Sequence, residues 1–155
     1  MIGKGTFFCI FFVLLCSARV MSFTISAVPM KKSFSLDECI EIEVEVKNDS
    51  KEYGLIPLVF FPEDYYIRFE ITGLTGEKAN FIGIEYDYVQ SDIDLVNMPP
   101  MSTFSVPLKL SNYYKIGEGD FKLRVIYEIS EGEYNDSKAW FGEISSDTVE
   151  FCVHK

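Results

Sequence analysis

This 155-residue chain holds a single histidine, His154, and a single tryptophan, Trp140. One histidine beside the carboxyl end excludes the usual multi-histidine metal centres and any Ser–His or Cys–His system built into a core. There is no nucleophile elbow and no glycine-rich phosphate cradle. Cationic side chains are also scarce, with 14 lysines and arginines against 24 aspartates and glutamates and a formal charge of −10. That balance disfavours nucleic acid and anionic lipid surfaces as partners, and no residue pattern asks for a cofactor. Tandem repeats, low-complexity blocks and convincing helical periodicity are missing as well. The chain is still not of a disordered type, because its acids are interleaved with Phe, Tyr, Ile and Val.

Acidic residues are absent before Asp37. There "MIGK" leads into the uncharged run "TFFCIFFVLLCSA" (6–18), shorter than the roughly 20 residues that cross a bilayer as a helix. A basic start and a short apolar core are the form of a secretory signal. The reading is a signal over 1–21, cleaved somewhere from 18 to 22, and one mature domain over 22–155, secreted or periplasmic, with no integral span. "VLLCS" also resembles the bacterial lipoprotein signal, which would acylate Cys16 and tether the domain to a membrane surface. It departs from that pattern at Leu15, where a small residue is expected.

What remains reads as strand and turn. "SFTISAVPM" (22–30) forms a first strand ending near Pro29. "CIEIEVEVKNDS" (39–50) directs Ile40, Ile42, Val44 and Val46 one way and Glu41, Glu43 and Glu45 the other. "YYIRFEITG" (65–73), "FIGIEYDYV" (81–89), "TFSVPLKLS" (103–111), "FKLRVIYEIS" (121–130) and "DTVEFCV" (147–153) alternate in the same way. Ile67, Phe69, Ile71, Ile82, Phe104, Leu108, Phe121, Leu123, Val149 and Phe151 are among the expected core residues. Either Trp140 or Phe141 joins them. Pro57 and Pro107 mark edges or positions without a ladder bond, and "QSDIDLVNMPPMS" (90–102) reads as an acidic loop. The expected fold is all-β, an immunoglobulin-like two-sheet sandwich of seven to eight mostly antiparallel strands, with a β-barrel as runner-up.

Few residues invite chemistry. Paired acids such as Glu85 with Asp87, Asp92 with Asp94, Glu118 with Asp120 and Glu131 with Glu133 are the minimum for glycoside hydrolysis. In so acidic a chain such spacings also arise without function. "DYVQSDID" (87–94) offers hard oxygen ligands for calcium but lacks the spacing and glycine of the helix–loop–helix site. Tyr113 and Tyr114, in "YYKIG", are the best exposed aromatic pair and the candidate partner contact. "NDS" at 48–50 and 135–137 makes Asn48 and Asn135 accessible glycosylation acceptors if the source is eukaryotic and secretory.

"DECIEIEVEVK" (37–47) and "DTVEFCVHK" (147–155) each place a cysteine where alternation expects a solvent-facing residue. No other cysteine survives removal of the signal, so an oxidising destination predicts a Cys39–Cys152 disulfide. Its Cα atoms would lie roughly 5.5 Å apart, on one outer surface across neighbouring strands or at a frayed edge. Closing so long a loop would stabilise by about 4–5 kcal/mol.

"LKLSNYYKIGEGDFKLRVIYEIS" (108–130) and "WFGEISSDTVEFCV" (140–153) resemble the closing half of small secreted and envelope immunoglobulin-like domains. Around Gly119, Phe121 and Val125 there is a fainter likeness to sandwich-type bacterial proteinase inhibitors. The first resemblance implies a non-catalytic module that binds or supports a macromolecular partner, using a sheet edge or the tyrosine-bearing loops. The second implies a protease inhibitor acting through loop 112–119 or 90–102. A small acidic hydrolase is the third alternative.

Overall fold

Alternation decides most of the architecture. The computed structural model describes residues 22–57, 66–83, 95–130 and 139–155. The expected signal over 1–21, Cys16, Asn135, the acidic loop 87–94 and the pairs Glu85/Asp87, Asp92/Asp94 and Glu131/Glu133 lie outside them. Among the described residues no helix is long and apolar enough to cross a membrane.

The fold is an all-β sandwich. Its twelve strand segments among the described residues are β1 (Phe23–Pro29), β2 (Ser33–Ser35), β3 (Glu41–Asn48), β4 (Gly54–Pro57), β5 (Ile67–Gly73), β6 (Asn80–Phe81), β7 (Leu95–Met98), β8 (Thr103–Lys109), β9 (Tyr114–Lys115), β10 (Gly119–Ile129), β11 (Gly142–Ser145) and β12 (Val149–His154). One sheet has the order β1-β3-β8. The other is centred on β10, with β5 along one side, β11 and β12 along the other, and β2 outside β12. Two short pairs, β4 with β7 and β6 with β9, complete the set. All pairings between these strands are antiparallel except β2 with β12.

The core is made where the two inner faces meet. Ile42, Val44 and Val46 of β3, Ile67, Phe69 and Ile71 of β5, and Phe121, Leu123, Val125, Tyr127 and Ile129 of β10 are all buried, as their two-residue period requires. β1 lies across β10, β11 and β12. Phe121 stacks on Phe151 at 5.6 Å, and Phe34 meets Phe151 edge-on at 6.1 Å. Trp140, not Phe141, packs on the core: it stacks against Tyr127 at 6.5 Å, while Phe141 is exposed. Gly54 is needed at its position because a Cβ there would lie 2.4 Å from the Phe23 ring.

Several expectations give way. Leu95–Met98 within the anticipated loop is a strand, because it pairs with β4. β6 stops at Phe81, and Ile82 beyond it is exposed rather than inward. Phe104 is 40% exposed although its position faces inward, since it lies near the end of an edge strand. β2 went unanticipated because three residues between Pro29 and Asp37 carry no period long enough to read.

Candidate functional site

The three-stranded sheet has two edges, and the hydrogen-bond phase shows what each offers. In an antiparallel ladder, alternate residues aim both backbone groups toward or away from the neighbour. Met30 N–H reaches Glu41 O and Asp49 N–H reaches Ser22 O, so even-numbered residues of β1 bond to β3. Leu110 N–H reaches Ile40 O and Asn48 N–H reaches Ser102 O, which puts the even residues of β8 on β3 as well. The odd residues therefore point their backbone groups outward. On β8 these are Thr103, Ser105, Pro107 and Lys109, and no other strand among the described residues pairs with that side. Pro29 and Pro107 both fall in the outward set. Each proline sits where its missing N–H costs no ladder bond, which is the placement expected of Pro107.

The outer face of this sheet is acidic and polar. Glu41 pairs with Lys109 at 3.5 Å, while Ser26 and Ser105 hydroxyls donate to the two oxygens of Glu45 at 3.5 and 3.3 Å. Among the described residues no group of three or more His, Cys, Asp or Glu side chains is arranged to hold a metal ion.

Asn48 is a correction. Its side chain has no exposure, so the predicted glycan acceptor is not accessible in the folded chain. The Nδ2 that would carry the sugar donates to the carbonyls of Glu52 at 2.8 Å and of Met98 and Pro99 at 3.1 Å. Its Oδ1 accepts from the Ser50 N–H at 3.0 Å and the Ser50 hydroxyl at 2.7 Å. The "NDS" triplet here is a buried joint linking the end of β3 to the turn before β8. Beside it, Asp49 is held below the usual carboxylate range, first by Lys47 and then by the Thr24 hydroxyl.

The tyrosine pair is corrected too. Tyr114 is buried, packs edge-on against Phe81 at 5.4 Å and is drawn inward by β9; Tyr113 is half-buried against the core. They pack against the core instead of presenting an exposed pair. A shallow cavity of about 280 Å³ adjoins Tyr114, between Arg68, Glu70 and Lys78.

The disulfide expectation fails on topology. Cys39 and Cys152 are both free thiols, each half-buried. Alternation placed both correctly off the inner face. It could not show that Cys39 would fall in the link between β2 and β3, outside any strand, so no ladder register sets it opposite Cys152. Cys152 has other company. Parallel pairing sets Ser33 of β2 opposite it, and its thiol donates to Ser33 Oγ at 3.1 Å. Ser33 Oγ lies 2.9 Å from Nδ1 of His154, the single histidine of the chain. Asp120 is the antiparallel partner of Cys152 on its other side. A depression of about 400 Å³ opens next to the thiol, with Lys32, Asp120 and Glu150 on its rim. Only knowledge of β2 could have revealed this row.

On the turn after β2, Glu38 is held below its ordinary range, first by Lys31 and then by the Ser35 backbone N–H. Of the acid pairs, only Glu118 and Asp120 are described. Glu118 is engaged by Lys155 at 3.8 Å, and Asp120 stands across from Cys152.

No family model matches the chain, and no curated protein shows significant similarity to it.

Proposed function

We propose that this protein is a non-catalytic interaction module, secreted or periplasmic, built on an immunoglobulin-like sandwich and capturing an extended segment of a protein partner along β8. The observation that carries the reading is the outward phase of Thr103, Ser105 and Lys109, whose backbone groups face away from β3 on a seven-residue edge strand. Strand addition gains its affinity from such main-chain groups and its specificity from alternate side chains. Apolar surface lies alongside, at Met101 (59% exposed). Pro107 removes one donor and shortens the edge, which guards against indiscriminate pairing. The immunoglobulin-like path is supported by the split of the first strand region, β1 joining one sheet and β2 the other.

The inhibitor reading asks for a projecting loop. Its candidate segment 112–119 contains β9 with buried Tyr114, and 90–102 contains β7, so neither favours it. The hydrolase reading finds no support in Glu118 and Asp120, since Glu118 is paired with Lys155.

A photo-crosslinking residue at Thr103 should capture a protein partner from the producing organism. Ser105→Pro, which deletes an outward donor but no ladder bond, should weaken that capture about tenfold. Failure to capture anything at β8, or capture indifferent to Ser105→Pro, refutes edge recognition.

A further inference from the structure

Cys152, Ser33 and His154 form a row on the outer surface of the five-stranded sheet. Phe151 and Val153 are buried, so Cys152 and His154, two residues apart on β12, share the opposite face. Ser33 is brought between them by the parallel β2–β12 register. With Nδ1 of His154 unprotonated, the contacts have one consistent direction. The thiol donates to the Ser33 hydroxyl, and that hydroxyl donates to the imidazole.

We propose that Cys152 is a thiol–disulfide exchange site whose ligand is a low-molecular-weight amino-acid disulfide, such as oxidised glutathione or cystine. The thiol proton passes to Ser33 Oγ as the Ser33 proton passes to His154 Nδ1, leaving a thiolate that accepts a hydrogen bond from Ser33. The thiolate attacks one sulfur of the incoming disulfide. The S–S bond of the ligand breaks, a Cys152–ligand disulfide forms, and the departing thiolate takes the proton from His154. One disulfide is consumed and one formed, so no further oxidant is needed.

The surroundings suit that class of ligand. The depression beside the thiol holds about 400 Å³, with Lys32 placed for a carboxylate and Asp120 and Glu150 for an ammonium group. Cys152 is not consumed by Cys39, the other cysteine among the described residues, since both are free thiols. Cys39 is the built-in control. It is half-buried like Cys152, but its thiol makes no hydrogen bond among the described residues. The site is separate from the β8 edge and does not depend on that reading.

The test is to incubate the reduced full chain with oxidised glutathione and follow adducts at each cysteine by peptide mass mapping. Cys152 should be modified about tenfold faster than Cys39. Ser33→Ala and His154→Gln should each slow Cys152 about threefold or more while leaving the Cys39 rate unchanged, and Ser33→Thr, which keeps the hydroxyl, should restore it. Equal rates at the two thiols overturn the proposal. So do variants that leave the Cys152 rate untouched, or formation of a Cys39–Cys152 disulfide in place of adducts.

Discussion

Two polar clusters stand toward opposite ends of β1, and they are made of similar parts put to different uses. Asn48 pairs with Phe23, the first residue of β1. The Ser33–Cys152–His154 row begins just past Pro29, the last. Each has a lysine–carboxylate pair beside it, Lys47 with Asp49 and Lys31 with Glu38. The difference is burial. Asn48 has no water to fall back on, so every bond it makes is needed. Ser33 and His154 are exposed, so theirs can be broken and remade at little cost. Small polar residues therefore fasten one end and leave the other available for chemistry.

The contrast is tested first at Asn48. Asn48→Ala should cost about 3 kcal/mol in urea unfolding, since three carbonyls lose their donor and a void is left. Asn48→Asp should be no milder, because an oxygen would face those same carbonyls. A loss under about 0.5 kcal/mol for Asn48→Ala breaks the comparison. Next in size is Tyr127→Phe, which strips the Pro57 carbonyl of its buried hydroxyl donor. Thermal or urea unfolding should show a loss of about 1–2 kcal/mol. At the other end, Cys152→Ser should leave stability within about 0.5 kcal/mol of the parent in the same measurement.

The smallest effect is electrostatic. Glu38 and Asp49 titrate below their ordinary values of 4.5 and 3.8 in the folded chain. Whatever stability they contribute is complete above those values and is lost as pH falls through the lowered ones. Both carboxyls are solvent-exposed, so salt should erase much of it. Carboxyl titration by NMR should show both depressed, and Lys31→Met should return Glu38 toward its usual range while leaving Asp49 alone.

How much of this is legible in the sequence follows from which interactions are local. Ile42, Val44 and Val46, or Phe121 through Ile129, announce their face because the period of a strand is written in consecutive residues. Pro107 announces an edge for the same reason: one missing N–H excludes one position. The cysteines show the limit. Alternation put Cys39 and Cys152 on outer faces, but which sheet a strand joins depends on pairings some hundred residues apart in sequence. β2 illustrates it most sharply, since three residues decide what Cys152 and His154 touch. Asn48 misled in a different way. The triplet that marks a surface turn in isolation is here covered by the turn before β8, and nothing near residue 48 says so.

The parallel pairing of β2 with β12 has a mechanical consequence. Cys152 N–H binds Lys32 O at 2.9 Å and Leu36 N–H binds His154 O at 2.7 Å, so bonds flank the whole short pair. Because the strands run the same way, tension between residues 22 and 155 draws β2 and β12 past each other lengthwise. Those bonds are then strained together and not opened one after another, as they would be in a hairpin peeled from its end. A domain strung between two anchored neighbours would meet such a pull with a strand of only three residues as the latch.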